Sequence, residues 1–346
     1  MDSLKILRST HRYTRTIGDM IDYYTSVSEL LNKYKKPYNS IYWSTYKAYQ
    51  AIITEQLKRS NPKLSDPQLE RRSKDHIRTN LLEYINDTEN MDTDSRENMD
   101  ALMYGINNDN ISPAVLQDHV NLILESWKSK KDTASMKGNS YHRAREISAI
   151  NNGFEYNDFD QKEYKLHKDF LIQGYPDRDP SKWPTPEEYL IWALDYSPEK
   201  HSIGTNYYWE LPDGFYPELM LWDDEWKMAG TADRIFIETI LGERFVDIDD
   251  YKTNTSIEKK SFYVRGEGYQ MMQYPVNHMM DCKHSYYHLQ VSIYALMLER
   301  MGFTVRKVGY HHLNTLNDLP YLRDEAVALL EDINFDKNLK LLRKSI

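Results

Sequence analysis

Two runs of aromatic and β-branched residues flank Gly18-Asp19 in HRYTRTIGDMIDYYTSVS, which predicts a β-hairpin over 11–28. A short helix is expected from Ser26 to about Tyr34, with Ser26 or Ser28 as N-cap. A second is predicted from Ser40 to Leu57, where Ile41, Tyr46, Tyr49, Ile52 and Ile53 approximate a helical stripe. From about 61 to 109 apolar positions thin out and charge is dense, which predicts a solvated, mainly helical insertion or a partly ordered arm. Helical periodicity returns over 115–127. Within 180–197, SKWPTPEEYLIWAL reads as a helix whose acidic first turn follows Thr185-Pro186. Strands are then expected at 218–222, 228–238 and 244–253, followed by a helix from Tyr286 to Met301 that stops at Gly302. A strand at 303–312 and a terminal helix over 324–342 close the pattern, which is that of an α/β fold without internal repeats.

Composition narrows the class. With 13 Gly and 13 Pro in 346 residues, collagen-like, linker-rich and low-complexity readings are excluded. No run approaches the ~18 apolar residues of a membrane span, and the opening MDSLKILRST has no apolar stretch of signal-peptide length. The expectation is a cytoplasmic protein without a membrane partner. The single cysteine, Cys282, allows neither an internal disulfide nor a four-cysteine iron–sulfur cluster. Any metal would be held by oxygen and imidazole. A net charge of −9 means that a polyanionic partner needs a local positive patch or bound cations. Lys128, Lys130, Lys131, Lys137, Arg143 and Arg145 against Asp132 supply such a patch, although an ordinary solvated basic face explains them nearly as well. The 28 tyrosines fit packing and surface contact, with base stacking as a further use.

Four short motifs carry candidate chemistry. In Gly138-Asn-Ser-Tyr-His142-Arg-Ala-Arg-Glu146, His142 and Glu146 share one face of a helix that Asn139 or Ser140 is placed to cap. A locally stabilised surface helix is the plainer alternative. In Ala229-Gly230-Thr-Ala-Asp233-Arg234, Gly230 permits close approach to a strand. Asp233 is a carboxylate in apolar company, costly unless paired with a cation such as Arg234 or bound to metal. In Phe245-Val-Asp-Ile-Asp249-Asp250-Tyr251-Lys252, alternation places Asp250 and Lys252 on one face with Val246 and Ile248, and Asp249 on the other. D-x-K alone says little, since Asp160–Lys162 and Asp281–Lys283 share it, but only Asp250–Lys252 ends a β-branched run. Gln290 and Tyr294 share a helix face beside the apolar Leu289, Ile293, Leu296 and Met297. Gln270–Tyr274 repeats that spacing next to Pro275, in a loop-like stretch.

Taken in order, these motifs resemble those of the PD-(D/E)XK nuclease superfamily, in particular its RecB-like branch of phage-encoded and mitochondrial-type exonucleases. The stretches YPELMLWDDEWKMAGTADRIF, DYKTN and HLQVSIYALMLERMGF carry the likeness, which covers about 11–55 and 135–315. The resemblance implies a restriction-endonuclease-like core, a central mixed sheet flanked by helices, with a helical insertion. The implied plan is an N-terminal hairpin and helices of the nuclease domain (11–58), the insertion (59–135), the core (136–315) and a C-terminal helix (316–346). It further implies a Mg²⁺- or Mn²⁺-dependent deoxyribonuclease, more an exonuclease than an endonuclease, acting on single strands or duplex ends in phage-type replication, recombination or repair. The host cytoplasm is its expected location if it is phage-encoded.

On that reading His142, Asp233 and Asp250 are metal ligands with the Tyr251 carbonyl as a fourth, and Glu218 is a candidate for a second ion. Asp249 competes with Asp250 as a ligand. Lys252, Asp250, Asp233 and Glu146 form the catalytic set, while Gln290, Tyr294, Arg143 and Lys137 contact substrate. Iron–sulfur members are excluded by the cysteine count. The rival is a catalytically silent nucleic-acid-binding or scaffold protein on the same fold. A carboxylate-pair glycosidase gives no reason for Lys252 or His142.

Overall fold

The computed structural model describes residues 4–7, 12–17, 20–87, 98–166, 202–204, 211–264 and 268–344. The helix expected over 180–197 lies outside them. The chain separates into two units, Pro37–Ser135 and Met1–Lys36 with Met136–Ile346. In chain order the elements are β1 (Leu4–Leu7), β2 (Arg12–Ile17), β3 (Met20–Ser26), α1 (Val27–Lys33), α2 (Ser40–Ser60), α3 (Asp66–Asp87), α4 (Met99–Asn108) and α5 (Pro113–Asn152). They continue with β4 (Phe154–Asn157), β5 (Lys162–Lys165), β6 (Ser202–Gly204), β7 (Gly214–Asp223), β8 (Met228–Ile240) and β9 (Glu243–Lys252). The last are β10 (Tyr263–Val264), β11 (Gly268–Tyr269), α6 (Lys283–Arg300), β12 (Thr304–His312), β13 (Thr315–Leu319) and α7 (Arg323–Lys344). No helix among the described residues is long and apolar enough to cross a membrane.

The larger unit is α/β, with a mixed sheet in the order β1-β2-β3-β8-β9-β12-β13, and with β7 on β8 and β6 on β7. The expected hairpin is β2 with β3, paired from Tyr13↔Tyr24 to Ile17↔Met20. Ser26 then caps α1 by accepting from the Glu29 amide at 3.0 Å. β7, β8 and β9 run antiparallel in succession, whereas β12 joins β9 in parallel. A parallel neighbour needs a crossover, and α6 supplies it. Leu289, Val291, Ile293, Leu296, Met297 and Leu298 of α6 are all buried in the main core. That burial all round the helix explains why no clean amphipathic stripe marks it. Val246 and Ile248 of β9 and Ala326, Leu329 and Leu330 of α7 pack into the same core.

Asp247 and Asp249 interrupt the apolar run of β9, and each has a cation on the face away from that core. Asp247 is fully buried and accepts from Asn157 Nδ2 at 2.7 Å and from Arg306 Nε at 2.8 Å. Asp249 Oδ1 lies 3.3 Å from Nη1 of the buried Arg234. Arg234 therefore serves Asp249, and its neighbour Asp233 is left to face elsewhere.

The smaller unit is helical, and it takes in α2, which the sequence reading had joined to the nuclease domain by placing the boundary at 59. Tyr42, Tyr49, Ile52 and Ile53 of α2 share a core with Ile77 of α3 and with Leu102 and Ile106 of α4. Among its described residues the charged stretch is thus a set of helices around a core. At its centre Asn80 Nδ2 donates to the Tyr49 hydroxyl at 2.7 Å, and Tyr49 in turn donates to Asp109, with His76 Nε2 2.9 Å from the same carboxylate. A Cβ at Gly105 would stand 3.1 Å from that of Asn80 and 3.2 Å from the Tyr49 hydroxyl, so the glycine lets α4 come close.

Helix α5 corrects a further expectation. Residues 138–146 lie inside one 40-residue helix that begins at Pro113, so Asn139 and Ser140 cap nothing. The strands β1, β4, β5, β6, β10, β11 and β13 match no expected strand, and β13 precedes the C-terminal helix within 316–346.

Replacing Tyr49 with Phe removes a hydroxyl that both accepts and donates in the buried cluster. The expected loss is about 1–3 kcal/mol of stability in the helical unit, read as a lower midpoint in urea unfolding followed by circular dichroism.

Candidate metal centre

The site begins where two strands part. β8 and β9 are paired from Ile240↔Glu243 to Arg234↔Asp249 and no further. Beyond that point β8 stays with β7 as far as Met228, and β9 stays with β12 as far as Lys252. Asp233, Asp250 and Lys252 lie on the two arms of this fork. The Tyr251 amide donates to Asp233 Oδ2 at 2.7 Å, which ties the arms together just past the split.

On the other edge of β8, the pairs Pro217↔Arg234 and Leu219↔Ala232 bracket Glu218 opposite Asp233. Glu218 has a φ of 49°, in the left-handed region, which costs a non-glycine residue on the order of 1–3 kcal/mol. The strand changes face there. Tyr216, Leu219 and Leu221 all enter one core, which strict alternation forbids. The kink turns Glu218 toward Asp233.

His142 completes the group from α5. Its Nδ1 lies 3.2 Å from Asp233 Oδ2 and 3.5 Å from Glu218 Oε1. One donor atom from each of His142, Glu218 and Asp233 lies within 4.8 Å of the others, a span that one divalent cation can bridge. Oxygen and imidazole donors suit Mg²⁺ or Mn²⁺.

Electrostatics show the strain of the arrangement. Burial, then the nearby Asp233 charge, pushes Glu218 up to about 7. The same two causes, opposed by Lys252, bring Asp250 up to about 6. Asp233 is held below the usual carboxylate range: burial opposes ionisation, but the His142 and Lys252 charges and the Tyr251 amide outweigh it. His142 is raised well above its ordinary value; burial works against this, and the Asp233 and Glu218 carboxylates prevail.

Asp250 stands outside the triad. It is buried and ion-paired with Lys252, whose Nζ also donates to Gln290 Oε1 at 2.9 Å. Gln290 Nε2 donates in turn to the Tyr294 hydroxyl at 3.3 Å. The Tyr294 ring fills the space left by Gly230, where an added Cβ would come within 2.3 Å of it. Asp250, Lys252, Gln290 and Tyr294 thus form one chain of contacts, and the Gln270–Tyr274 repeat stays outside it.

The remaining candidates divide. Tyr251 places its ring 5.9 Å from that of His142, centroid to centroid. Glu146, one helical turn past His142, lines the same pocket, where Arg143 Nη1 holds its Oε2 at 2.6 Å. Arg143 is therefore committed to Glu146, and Lys137 is an exposed residue of α5. Arg145, a member of the expected basic patch but not of the expected site, lines the pocket at three residues from His142. Its guanidinium donates to the Tyr141 hydroxyl at 3.1 Å and to Asn314 Oδ1 at 3.0 Å. The i, i+3 spacing from His142 was the signal for it. Asp249, the competing ligand, is on the opposite face with Arg234 and His311, and His311 is brought down to about 4 by burial and by Arg234.

Compared with protein-family models, curated proteins and solved structures, the chain gives no match.

Glu218, Asp249 and Asp250 have folded values of about 7, about 7 and about 6, above those of the free carboxyls. The folded state therefore binds more protons than the unfolded chain between roughly pH 4 and 7, and stability falls as pH rises through that window. The melting temperature in EDTA is expected to decline from about pH 5 to about pH 8. Mn²⁺ should raise it more at the upper end, where it competes with fewer protons. Separately, Gly230→Ala should cost about 1–3 kcal/mol by overpacking against Tyr294, with partial recovery in a double variant carrying Tyr294→Leu, both read by urea unfolding.

Proposed function

We propose that this protein is a metal-dependent deoxyribonuclease that hydrolyses phosphodiester bonds from DNA ends. The observation that carries the reading is the convergence of His142, Glu218 and Asp233 within 4.8 Å at a fork of the sheet whose other arm ends in the Asp250–Lys252 pair. The resemblance of the ordered motifs to those of PD-(D/E)XK exonucleases supports it. Without a cation the site is dominated by carboxylates and would repel a phosphodiester.

Mg²⁺ or Mn²⁺ would be held by His142, Asp233 and Glu218, with Asp250 and the Tyr251 carbonyl as further oxygen donors. When bound, it would polarise the phosphate and acidify water. Lys252 supplies the complementary charge. Burial opposes its protonation, but Asp250 and Asp233 raise its pKa above the ordinary lysine value, so it stays an ammonium at neutral pH. An ammonium fixed by Asp250 and Gln290 is suited to the charge that develops on the phosphate oxygens in the transition state. Gln290 and Tyr294 orient that lysine. Arg145, held at the pocket wall by Tyr141 and Asn314, is suited to a phosphate oxygen.

The test is digestion of end-labelled linear DNA and of closed circles with Mg²⁺, Mn²⁺ or EDTA. Linear DNA should be degraded with either metal, circles spared, and both left intact in EDTA. Asp233→Ala and Lys252→Ala should each lower the rate by at least about a hundredfold with unchanged circular dichroism. His142→Ala should weaken Mn²⁺ binding in calorimetry. Full activity of Lys252→Ala would remove the proposed site.

A further inference from the structure

Between Lys252 and α6 the chain carries the hairpin of β10 and β11, and apolar side chains around it meet solvent. Phe262, Tyr263, Tyr269, Met271 and Tyr274 are exposed, Phe262 at 64% and Tyr274 at 73%. Single exposed apolar residues are ordinary. Here five fall between 262 and 274, and two of them, Tyr263 and Tyr269, meet ring to ring, the kind of clustered exposure that marks interaction sites. A two-stranded hairpin is marginal in water and gains nothing by displaying them.

The segment is nevertheless anchored. The Gln270 amide donates to the Phe262 carbonyl at 3.0 Å and the Asp281 amide to the Gln270 carbonyl at 2.9 Å. The His284 amide, at the start of α6, donates to the Glu258 carbonyl at 3.2 Å. Closer to the fork, Asn254 accepts from the Tyr287 hydroxyl at 2.6 Å and from His312 Nε2 at 2.7 Å. The Tyr263 and Tyr269 rings meet edge to face with centroids 5.2 Å apart, and Lys260 Nζ lies 5.7 Å from the Tyr269 centroid.

Charge identifies the occupant. Lys283 pairs with Glu258 at 3.1 Å, so the positive charge beside the rings is that of Lys259 and Lys260, in a chain whose net charge is −9. Rings beside lysines match a strand whose bases are unpaired, because every base offers a face for stacking and every linkage a phosphate. Duplex bases are already stacked on one another, and an apolar protein partner would leave Lys259 and Lys260 without counter-charge.

We propose that the β10–β11 hairpin is a stacking platform for single-stranded DNA, receiving bases of the strand whose phosphate lies at Lys252. The inference rests on the nuclease reading for the role of that strand and deepens it by naming the unpaired strand as the substrate class. The platform binds bases and takes no part in the chemistry.

The test measures fluorescence anisotropy of fluorescein-labelled oligo(dT) in EDTA, and of a duplex of equal length. The triple variant Phe262→Ala, Tyr263→Ala, Tyr269→Ala should bind oligo(dT) about tenfold or more weakly while duplex binding stays unchanged. Tyr263→Phe with Tyr269→Phe should bind oligo(dT) like the unaltered protein. Hydrolysis of bis(p-nitrophenyl) phosphate with Mn²⁺ is measured in parallel and should be the same in the triple variant. Unchanged oligo(dT) affinity in the triple variant, or an equal loss for duplex, overturns the platform even if the small diester is hydrolysed. Selective loss of oligo(dT) affinity in a protein that does not hydrolyse the diester keeps the platform and overturns the nuclease reading.

Discussion

The buried Asp233 and Asp250 and the half-buried Glu218 are carboxylates brought together, and the repulsion of Asp233 with each of the others is the constraint under which the site is built. At an effective dielectric constant near 20, two unit charges about 4 Å apart interact by roughly 4 kcal/mol. The fold answers with His142 from a helix and Lys252 from the end of the strand that carries Asp250. Burial first, and then the Asp233 charge, still raise Glu218 and Asp250 against the two cations. The arrangement is at ease only with more positive charge than the chain provides.

Much of the surrounding structure follows from holding those groups in place. The fork exists because β8 and β9 part after Arg234↔Asp249, each keeping its outer neighbour. Gly230 admits the Tyr294 ring, Tyr294 meets Gln290, and Gln290 holds Lys252, so the packing of α6 on the sheet also sets the position of an ammonium. On the reverse of the sheet Arg234 and Arg306 neutralise Asp249 and Asp247. Without them a strand with so many acids would not stay buried.

What the sequence disclosed was local. The β-branched run before Asp250-Tyr251-Lys252 marked β9, alternation put Asp250 with Lys252, and Gly230 signalled close approach before its partner was known. Helix spacing joined Gln290 to Tyr294. What it hid was set by distant partners. Glu218 reaches the triad through a left-handed residue, which propensity disfavours for glutamate. The allegiance of α2 is decided by Ile77, Leu102 and Ile106, far along the chain. Arg143 looked as available as Arg145 until Glu146 was seen to hold it. The continuity of α5 from Pro113 through Glu146 was masked by a change from apolar periodicity to a basic run within one helix.

The adjacent Asp249 and Asp250 have a consequence for how β9 tolerates sliding. A displacement by one residue would leave an aspartate in the fork, but it would bring Tyr251 to the position of Lys252 and turn the ammonium to the opposite face of the strand. The acid is duplicated along the chain and the cation is not. Register errors in this strand would therefore leave a carboxylate beside Asp233 while removing the ammonium that faces it. The ion pair of Asp249 with Arg234 and that of Asp247 with Arg306 are the latches that penalise such a slip.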